Sequence, residues 1–193
     1  MAAVKRIVPE RCCAAIIDLQ GFFLAQIDAR QRGRVKTNTA NLVRLLNAFG
    51  IPIVATLERP LDVKGTLPRE VAKYLGERAK TFEKDFFDLT KDATIKTHLA
   101  RLKRPQAIVA GCETDVCVLQ SCLGLVALGY EVYVMEELIF SSARNVAAAL
   151  ARMQDAGCVF LTYKMLYYEL IESVAGPDAR CGPFPDDLPD AAL

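Results

Sequence analysis

The stretch QAIVAGCETDVCVLQSC, residues 106–122, joins an apolar run to a segment of helical character and holds three of the chain's seven cysteines. Its first half is continuously apolar and partly β-branched, which is typical of a strand buried on both faces of a parallel sheet. Its second half begins where that strand would end. A strand followed directly by a helix is the repeating unit of α/β proteins, so this stretch indicates the fold class.

The same alternation extends along the rest of the chain. Apolar runs that predict strands lie at 12–18, 51–56, 106–111 and 130–135, with weaker candidates at 80–84 and 157–163. Segments with helical spacing lie at 34–49, 92–101, 115–128 and 142–156, the last with Ser142 as its cap. Strands that alternate with helices predict β-α-β units with right-handed crossovers. We therefore expect a three-layer α/β/α domain around a doubly wound, mostly parallel sheet.

Length and composition indicate one domain and a tail. We assign residues 1–175 to the domain and 176–193, which contain four prolines, to a Pro-rich C-terminal tail. A chain of 193 residues can bury roughly 70% of its unfolded surface, so it needs neither disulfides nor a metal to stabilise its core.

Charge and hydropathy exclude several classes of protein. The formal net charge of +1 gives no basic surplus for binding nucleic acid. No apolar stretch approaches the ~20 residues that cross a bilayer, and the first residues do not resemble a signal peptide. The cysteine count is odd and includes no C-x-x-C pair, which indicates reduced thiols. We expect a cytoplasmic protein with no membrane or nucleic-acid partner.

The chain contains a single histidine, His98, midway along a predicted helix, and we expect it to be a surface residue. Histidine-based catalytic triads and the usual zinc motifs are therefore absent, as are the glycine-rich loops that bind phosphates. Polar residues remain where three apolar runs stop: Asp18, Lys84 and Cys117. Ligands of open α/β sheets bind at such strand ends. Taken singly, Asp18 could instead cap a turn, Lys84 could be a solvated lysine, and Cys117 could be a thiol packed in the core.

Position distinguishes Cys117 from the other cysteines. With Thr114 as a helix cap, Cys117 falls in the first turn, where the helix dipole and unpaired amides favour a thiolate. We expect Cys122 deeper in the helix. Four of the remaining cysteines are expected to pack in or beside strands: Cys12, Cys13, Cys112 and Cys158. The last, Cys181, lies in the tail. One reactive thiol among inert neighbours is therefore the prediction.

Three stretches resemble the isochorismatase-like cysteine hydrolases, which include nicotinamidases and N-carbamoylsarcosine amidohydrolase. They are AAIIDLQGFF (14–23), FEKDFFDL (82–89) and GCETDVCVLQSCLGLVALGYEVYVMEELIFSS (111–142). The resemblance covers about residues 12–170, and the third stretch is the most specific. It implies a sheet of strand order 3-2-1-4-5-6.

The resemblance also implies catalytic roles. Asp18, Lys84 and Cys117 stand at the places of the family's triad, with Lys80 as the alternative to Lys84. Asp18 would accept the thiol proton, return it to the leaving amine and activate the hydrolytic water, with no cofactor. The backbone N–H groups of Glu113 and Cys117 would form the oxyanion hole, and the peptide bond before Glu113 would be cis.

The substrate is expected to be a small molecule. Nicotinamidases bind a metal through an aspartate and histidines between the second and third strands, and this chain has no histidine there, so we expect no metal. Some isochorismatases, which cleave a vinyl ether, lack the cysteine, so the presence of Cys117 implies, by resemblance, cleavage of a C–N bond in an amide, carbamoyl or ureido compound. Gln20, Phe23 and Glu58 are candidates for substrate binding, or are ordinary core and surface residues.

Two further expectations concern assembly and alternative roles. Members of the family commonly assemble, so we expect a homo-oligomer, a dimer or a tetramer. The chain could also be an interaction protein without activity, or a redox sensor that pairs Cys117 with Cys122 or Cys112.

Overall fold

Six strands form a single sheet in the computed structural model, which describes residues 5–173. Its order is β3-β2-β1-β4-β5-β6, and every neighbouring pair is parallel. The predicted doubly wound sheet and its strand order are thus confirmed. The strands are β1 Cys12–Ile17, β2 Ile53–Glu58, β3 Ala79–Lys84, β4 Gln106–Cys112, β5 Glu131–Phe140 and β6 Val159–Leu161.

Helices cover both faces of the sheet and bury two apolar clusters. One cluster joins the sheet to α2 and α8, and the other joins it to α5, α6 and α7. The α-helices are α1 Gly21–Leu24, α2 Ala29–Ala48, α3 Leu61–Lys64, α4 Arg69–Ala72, α5 Ala93–Leu102, α6 Leu119–Ala127, α7 Ala147–Asp155 and α8 Tyr163–Ile171. Short 3₁₀ turns lie at Pro9–Arg11 and Leu89–Lys91, and a π-turn lies at Thr114–Val118.

Two predicted boundaries fell short of the observed elements. Helix α2 begins five residues before the predicted start because Asp28 caps it, accepting the Gln31 N–H at 2.9 Å. Its first turns are polar, so apolar spacing could not reveal them. Strand β5 likewise continues five residues beyond its predicted end, through a register shift against β4 between Val109 and Gly111.

Both predicted helix caps near the π-turn were wrong. Glu113, not Thr114, is the residue before the turn, and its side chain makes no capping bond. Helix α7 begins at Ala147, well after Ser142. Ser142 instead donates from its N–H and its hydroxyl to Glu113 Oε1, at 3.0 and 2.5 Å. The serine therefore ties the loop after β5 to the π-turn.

Gly111 allows the two central strands to approach each other at their carboxyl ends. It pairs with Ile17 of β1 and has a φ of +123°. A Cβ at this position would lie 1.9 Å from the Ile17 carbonyl oxygen, so only glycine fits. The loops that follow β1 and β4 are consequently held next to each other.

The described residues contain no helix long and apolar enough to cross a membrane. The predicted tail, 176–193, and Cys181 lie outside the described residues. The domain boundary at residue 175 stays a prediction.

Candidate active site

Asp18 follows β1 directly and is fully buried at the carboxyl end of the sheet. It adopts a left-handed backbone conformation with a φ of +49°. Thr56 of β2 pairs with Ile17, the residue before Asp18, and its hydroxyl donates to Asp18 Oδ1 at 2.8 Å. The Asp18 N–H donates to the Thr56 carbonyl at 3.1 Å, so both the main chain and the side chain of Asp18 are fixed to β2.

Lys84 ends β3 and is as deeply buried as Asp18. Its Nζ lies 2.6 Å from Asp18 Oδ2 and 3.8 Å from Cys117 Sγ. The alternative, Lys80, is exposed on the same strand, with its ammonium 5.0 Å from the centre of the Phe82 ring. The structure therefore places Lys84, and not Lys80, beside Asp18 and Cys117.

Cys117 lies in the π-turn, with only 2% of its surface exposed. Its thiol donates a hydrogen bond to Glu58 Oε2 at 3.1 Å. One side-chain oxygen of Asp18, one of Glu58 and the Cys117 sulfur all lie within 4.8 Å of one another. The three residues of the predicted triad are thus brought together, and Glu58 joins them.

The expectation of a stabilised thiolate at rest was wrong. Burial and the charge of Asp18 raise the pKa of the Cys117 thiol far above its ordinary value, and Lys84 only partly offsets them. The start of the turn, which would favour the anion, does not outweigh this desolvation. At neutral pH the thiol therefore holds its proton, consistent with its donation to Glu58.

Burial also raises the pKa of Asp18 from its ordinary value. The Lys84 ammonium and the hydrogen bond from Thr56 act in the opposite direction, because both favour the carboxylate. Oδ2 contacts Lys84 as an ion pair and receives no directed hydrogen bond within residues 5–173. This oxygen is therefore available to accept a proton from a neighbouring group.

Glu58 ends β2 and is bound from both sides. Its Oε1 forms an ion pair with Lys64 of α3, and its Oε2 lies 4.0 Å from Lys84 Nζ. Burial alone would raise the pKa of Glu58, but the bonds from Lys64 and Cys117 lower it below its ordinary value. Glu58 is consequently a carboxylate at neutral pH.

Gln20 and Phe23 are the other predicted binding residues, and Gln20 contacts Glu58 directly. Gln20 is buried and clamps the main chain: its Oε1 accepts the Glu58 N–H at 2.7 Å, and its Nε2 donates to the carbonyls of Glu58 and Gly65 at 3.1 and 2.8 Å. These bonds favour a supporting role over contact with substrate. Phe23 is also buried, and the Lys64 ammonium lies 5.8 Å from the centre of its ring.

The predicted oxyanion hole lies in the turn that carries Cys117. The peptide bond between Cys112 and Glu113 is cis, as expected. The Glu113 carbonyl accepts the N–H groups of Val116 and Val118, both at 3.1 Å, and forms no bond with the intervening N–H of Cys117. The side chain of Glu113 points to Ser142, so only its backbone is a candidate for binding an oxyanion.

Sequence reasoning missed two residues of this cluster. Thr56 orients Asp18, and Lys64 holds Glu58 ionised. Thr56 could have been noticed as the polar end of an otherwise apolar run, but Lys64 lies in a four-residue helix that no periodicity marks.

The charges of the cluster balance. The carboxylates of Asp18 and Glu58 pair with the ammonium groups of Lys84 and Lys64, so the cluster is neutral when the Cys117 thiol is protonated.

The donor set of Asp18, Glu58 and Cys117 has the spacing of a metal site. The Lys84 ammonium, however, lies 2.6 Å from one carboxylate and 4.0 Å from the other. A cation bound there would meet this charge at close range, and the thiol would first have to lose its proton. These residues therefore fit a lysine as their counter-ion better than a metal.

The remaining described cysteines pack in the core as expected, each free and buried: Cys12, Cys13, Cys112, Cys122 and Cys158. Cys112 donates to the Asp18 carbonyl at 2.9 Å, and burial raises its pKa well above the ordinary value. His98, predicted to be a surface residue, is half-buried instead, and the centre of its ring lies 5.2 Å from that of Phe82.

The sheet order and the buried cluster at its carboxyl edge define an α/β protein of the isochorismatase type. Residues 12–165 match the sequence profile of the Isochorismatase domain, and the chain belongs to this family. Isochorismatase family protein 1B of Dictyostelium discoideum is 28% identical over 173 residues, which cover 87% of this chain and 82% of the relative.

Solved structures share the fold. The structure described as the MAR1 ribonuclease of Caenorhabditis elegans superposes with a TM-score of 0.80 at 24% identity, over 90% of this chain and 88% of that one. The YcaC protein of Escherichia coli, described as an octameric hydrolase of unknown specificity, gives a TM-score of 0.83 at 20% identity, over 90% and 85%.

Proposed function

We propose that the protein is a metal-independent cysteine hydrolase that cleaves a C–N bond of a small amide, carbamoyl or ureido compound. Asp18, Lys84 and Cys117 form its catalytic triad, and the acyl group is carried as a thioester on Cys117. The observation that carries the proposal is the fully buried ion pair of Asp18 and Lys84 within reach of the Cys117 sulfur.

Acylation begins with a neutral thiol. Asp18 Oδ2 accepts the thiol proton as the sulfur attacks the carbonyl carbon, and Lys84 stabilises the negative charge that passes between them. The raised pKa of Asp18 suits this step, because it makes the carboxylate a stronger base than an exposed aspartate. Asp18 then gives the proton to the leaving amine and becomes a carboxylate again.

The tetrahedral intermediate carries an oxyanion that requires hydrogen-bond donors. The backbone N–H groups of Glu113 and Cys117 take this role in the proposal. The bonds that the Glu113 carbonyl makes to Val116 and Val118, but not to Cys117, support it.

Metal independence is proposed because the region that binds a metal in nicotinamidases has no histidine here. A C–N bond is proposed because Asp18 can protonate a leaving amine. Residues 59–78, between β2 and β3, contain no histidine, and Lys84 supplies the positive charge beside the two carboxylates. An amine leaves readily only when it is protonated, and buried Asp18 is placed to deliver that proton.

The proposal is tested by two measurements on wild type and on Cys117→Ser. The first is intact mass after reaction with p-nitrophenyl acetate, a general acylating agent, followed by peptide mapping; we expect one acetyl group on Cys117. The second is release of ammonia from a panel of small amides, carbamoyl compounds and ureides, with and without EDTA.

We expect at least one of these substrates to be hydrolysed by wild type, equally with chelator present, and none by Cys117→Ser. Absence of both the acetyl adduct and any hydrolysis would contradict the proposal. It would favour the alternative of an interaction protein that has kept the fold.

Redox sensing by Cys117 is the second alternative. It requires a disulfide with Cys112 or Cys122, and burial raises the pKa of Cys112. Mass spectrometry after mild peroxide treatment distinguishes the two: a reversible disulfide at Cys117 would favour sensing, and oxidation of Cys117 alone would not.

RNA is a further substrate to consider, because the nematode structure is described as a ribonuclease. A net charge of +1 does not favour a polyanion. The buried cluster also offers a thiol that suits acyl transfer. We therefore propose a small-molecule substrate.

We also propose a homo-oligomer, a dimer or a tetramer, in a reducing cytoplasmic environment. Large apolar side chains are exposed in the segments that follow β1, β2 and β3: Phe22, Val63, Phe86 and Phe87. The six described cysteines are all free, which supports a reducing environment.

A further inference from the structure

Two carboxylates flank the Cys117 sulfur, and the triad uses only one of them. The resemblance to the family assigns both the thiol proton and the hydrolytic water to Asp18. Glu58 Oε2, however, lies 3.1 Å from Sγ, and an acyl carbon bonded to that sulfur would lie close to this carboxylate. We propose that Glu58 is the general base that activates water to hydrolyse the thioester; this inference rests on the proposed function.

Exposure to solvent separates the two carboxylates. Asp18 and Lys84 are entirely buried, whereas the side chain of Glu58 is 11% exposed and that of its partner Lys64 is 18% exposed. Glu58 is therefore the carboxylate of this pair with the greater access to solvent. We expect a water molecule that enters after the amine has left to reach Glu58 more readily than the fully buried Asp18.

The charges around Glu58 suit a base that must be ionised when the water arrives. Lys64 bonds to Oε1 and leaves Oε2 directed at the sulfur, and together with Lys84 it keeps the carboxylate charged. Gln20 fixes the main chain of Glu58 through its N–H and its carbonyl. The main chain and the carboxylate of Glu58 are thus both fixed by direct contacts in the resting structure.

The proposed step balances in atoms and protons. Glu58 Oε2 accepts a proton from water as the water oxygen bonds to the acyl carbon, and the C–S bond then breaks with its electron pair on sulfur. Glu58 returns the proton to the sulfur, and the acyl group leaves as a carboxylic acid. The thiol that results donates to Glu58 Oε2, which is the hydrogen bond present in the resting structure.

Acetylation by p-nitrophenyl acetate tests the assignment, because it separates the two half-reactions. Intact mass in acid-quenched samples gives the rate at which the acetyl form of Cys117 appears and, after removal of the reagent, the rate at which it is lost. For Glu58→Gln we expect formation at least as fast as in wild type, because Glu58 is one of the groups that raise the pKa of the Cys117 thiol. We expect loss to be slower by about 10²-fold.

Two further variants accompany Glu58→Gln. Glu83→Gln is the matched control. Glu83 directly precedes Lys84, but its carboxylate pairs with Arg59 on the surface and lies outside the cluster. Both rates should therefore equal those of wild type. Glu58→Asp keeps a carboxylate on a shorter side chain, and we expect it to lose the acetyl group faster than Glu58→Gln. It serves as the test variant if Glu58→Gln fails to fold.

The possible outcomes are distinct. Loss of the acetyl group from Glu58→Gln at the wild-type rate would overturn the inference and leave the triad intact. Failure of folded Glu58→Gln to form the adduct would overturn it as well, since Glu58 would then act in the first step. Absence of an adduct in wild type would instead contradict the proposed function.

Discussion

At the scale of single residues, the site depends on how burial and charge oppose each other. Asp18 and Lys84 are both removed from water, and each is tolerated because the other lies 2.6 Å away. The same burial raises the pKa of Asp18 and of Cys117, so the resting state is a neutral thiol beside a carboxylate of increased basicity. In the proposed mechanism, the nucleophile is therefore formed during proton transfer from the thiol and is not a thiolate at rest.

The pH dependence of acylation should report the state of Asp18. In the proposed mechanism its carboxylate is the base, so the rate should fall as the pH drops through a pKa that burial has raised. Thr56→Val removes a hydrogen bond that lowers this pKa, and the low-pH limb should then move to higher pH. A bond to a charged group is worth about 1.5–3 kcal/mol, which corresponds to a shift of about 1–2 pH units.

The measurement is the rate of acetylation by p-nitrophenyl acetate as a function of pH. Thr94→Val, in the first turn of α5 and exposed, is the matched control and should leave the profile unchanged. A shift of the Thr56→Val profile to lower pH would contradict the inference that the Thr56 hydrogen bond lowers the pKa of Asp18.

Lys84→Met should separate the two candidate lysines. Without Lys84 the buried Asp18 carboxylate has no counter-charge, so it takes up a proton and can no longer accept one from the thiol. We expect acetylation of Cys117 to slow by about 10²-fold or more. Lys80→Met, on the same strand but exposed, should acetylate at the wild-type rate. An equal loss in both variants would refute the choice of Lys84.

At the scale of elements, the carboxyl edge of the sheet gathers the cluster from four strands. Register places Thr56 opposite Ile17 and Lys84 opposite Glu58, so consecutive strand ends deliver their polar residues to one point. Gly111 allows β4 to approach β1 there. The π-turn that carries Cys117 is then held by Ser141 and Ser142, which bond to Asp115 and Glu113.

Substitution of Gly111 by alanine should be strongly destabilising. The new Cβ would overlap the Ile17 carbonyl and the backbone has a φ of +123°, so β1 and β4 must separate. We expect the free energy of unfolding to fall by about 2–4 kcal/mol, measured by denaturant titration.

Gly33→Ala is the matched control, with an effect of opposite sign. Gly33 lies inside α2, and a Cβ there meets nothing within 4 Å. Alanine is a better helix former than glycine, so the free energy of unfolding should rise by about 0.5–1 kcal/mol. Equal stability of Gly111→Ala and wild type would contradict the close approach of the two strands.

At the scale of the whole molecule, apolar side chains remain exposed near the site. Phe86 and Phe87 follow β3 and are each about half exposed, at 52% and 50%. Burial of such rings between chains is favourable and supports the proposed homo-oligomer. Light scattering of the purified protein should therefore give a multiple of the mass of one chain.

A double variant, Phe86→Lys with Phe87→Lys, should shift this mass toward that of a single chain, because charged side chains resist burial between subunits. Tyr168→Lys, which changes an equally exposed ring on α8, is the matched control and should leave the assembly intact. A single-chain mass for wild type at micromolar concentration would refute the proposed oligomer.

The strands, the layers and the positions of Asp18, Lys84 and Cys117 could be predicted from the sequence. Buried strands show as continuous apolar runs, and polar residues that end such runs stand out against them. The sequence did not reveal the polar start of α2, the π-turn or the function of Ser142, because these depend on single hydrogen bonds rather than on a repeating pattern.

What the sequence determined by itself is the fold class and the candidate reactive groups, since apolar runs and the polar residues at or just after their ends are read from local residue types. Only the tertiary structure decided how these groups act on one another. It showed that burial and Asp18 raise the pKa of the Cys117 thiol, that Gln20 binds the main chain of Glu58 and that Glu58 contacts the sulfur. Charge, desolvation and hydrogen bonding depend on distances between residues far apart in the chain, and folding alone sets those distances.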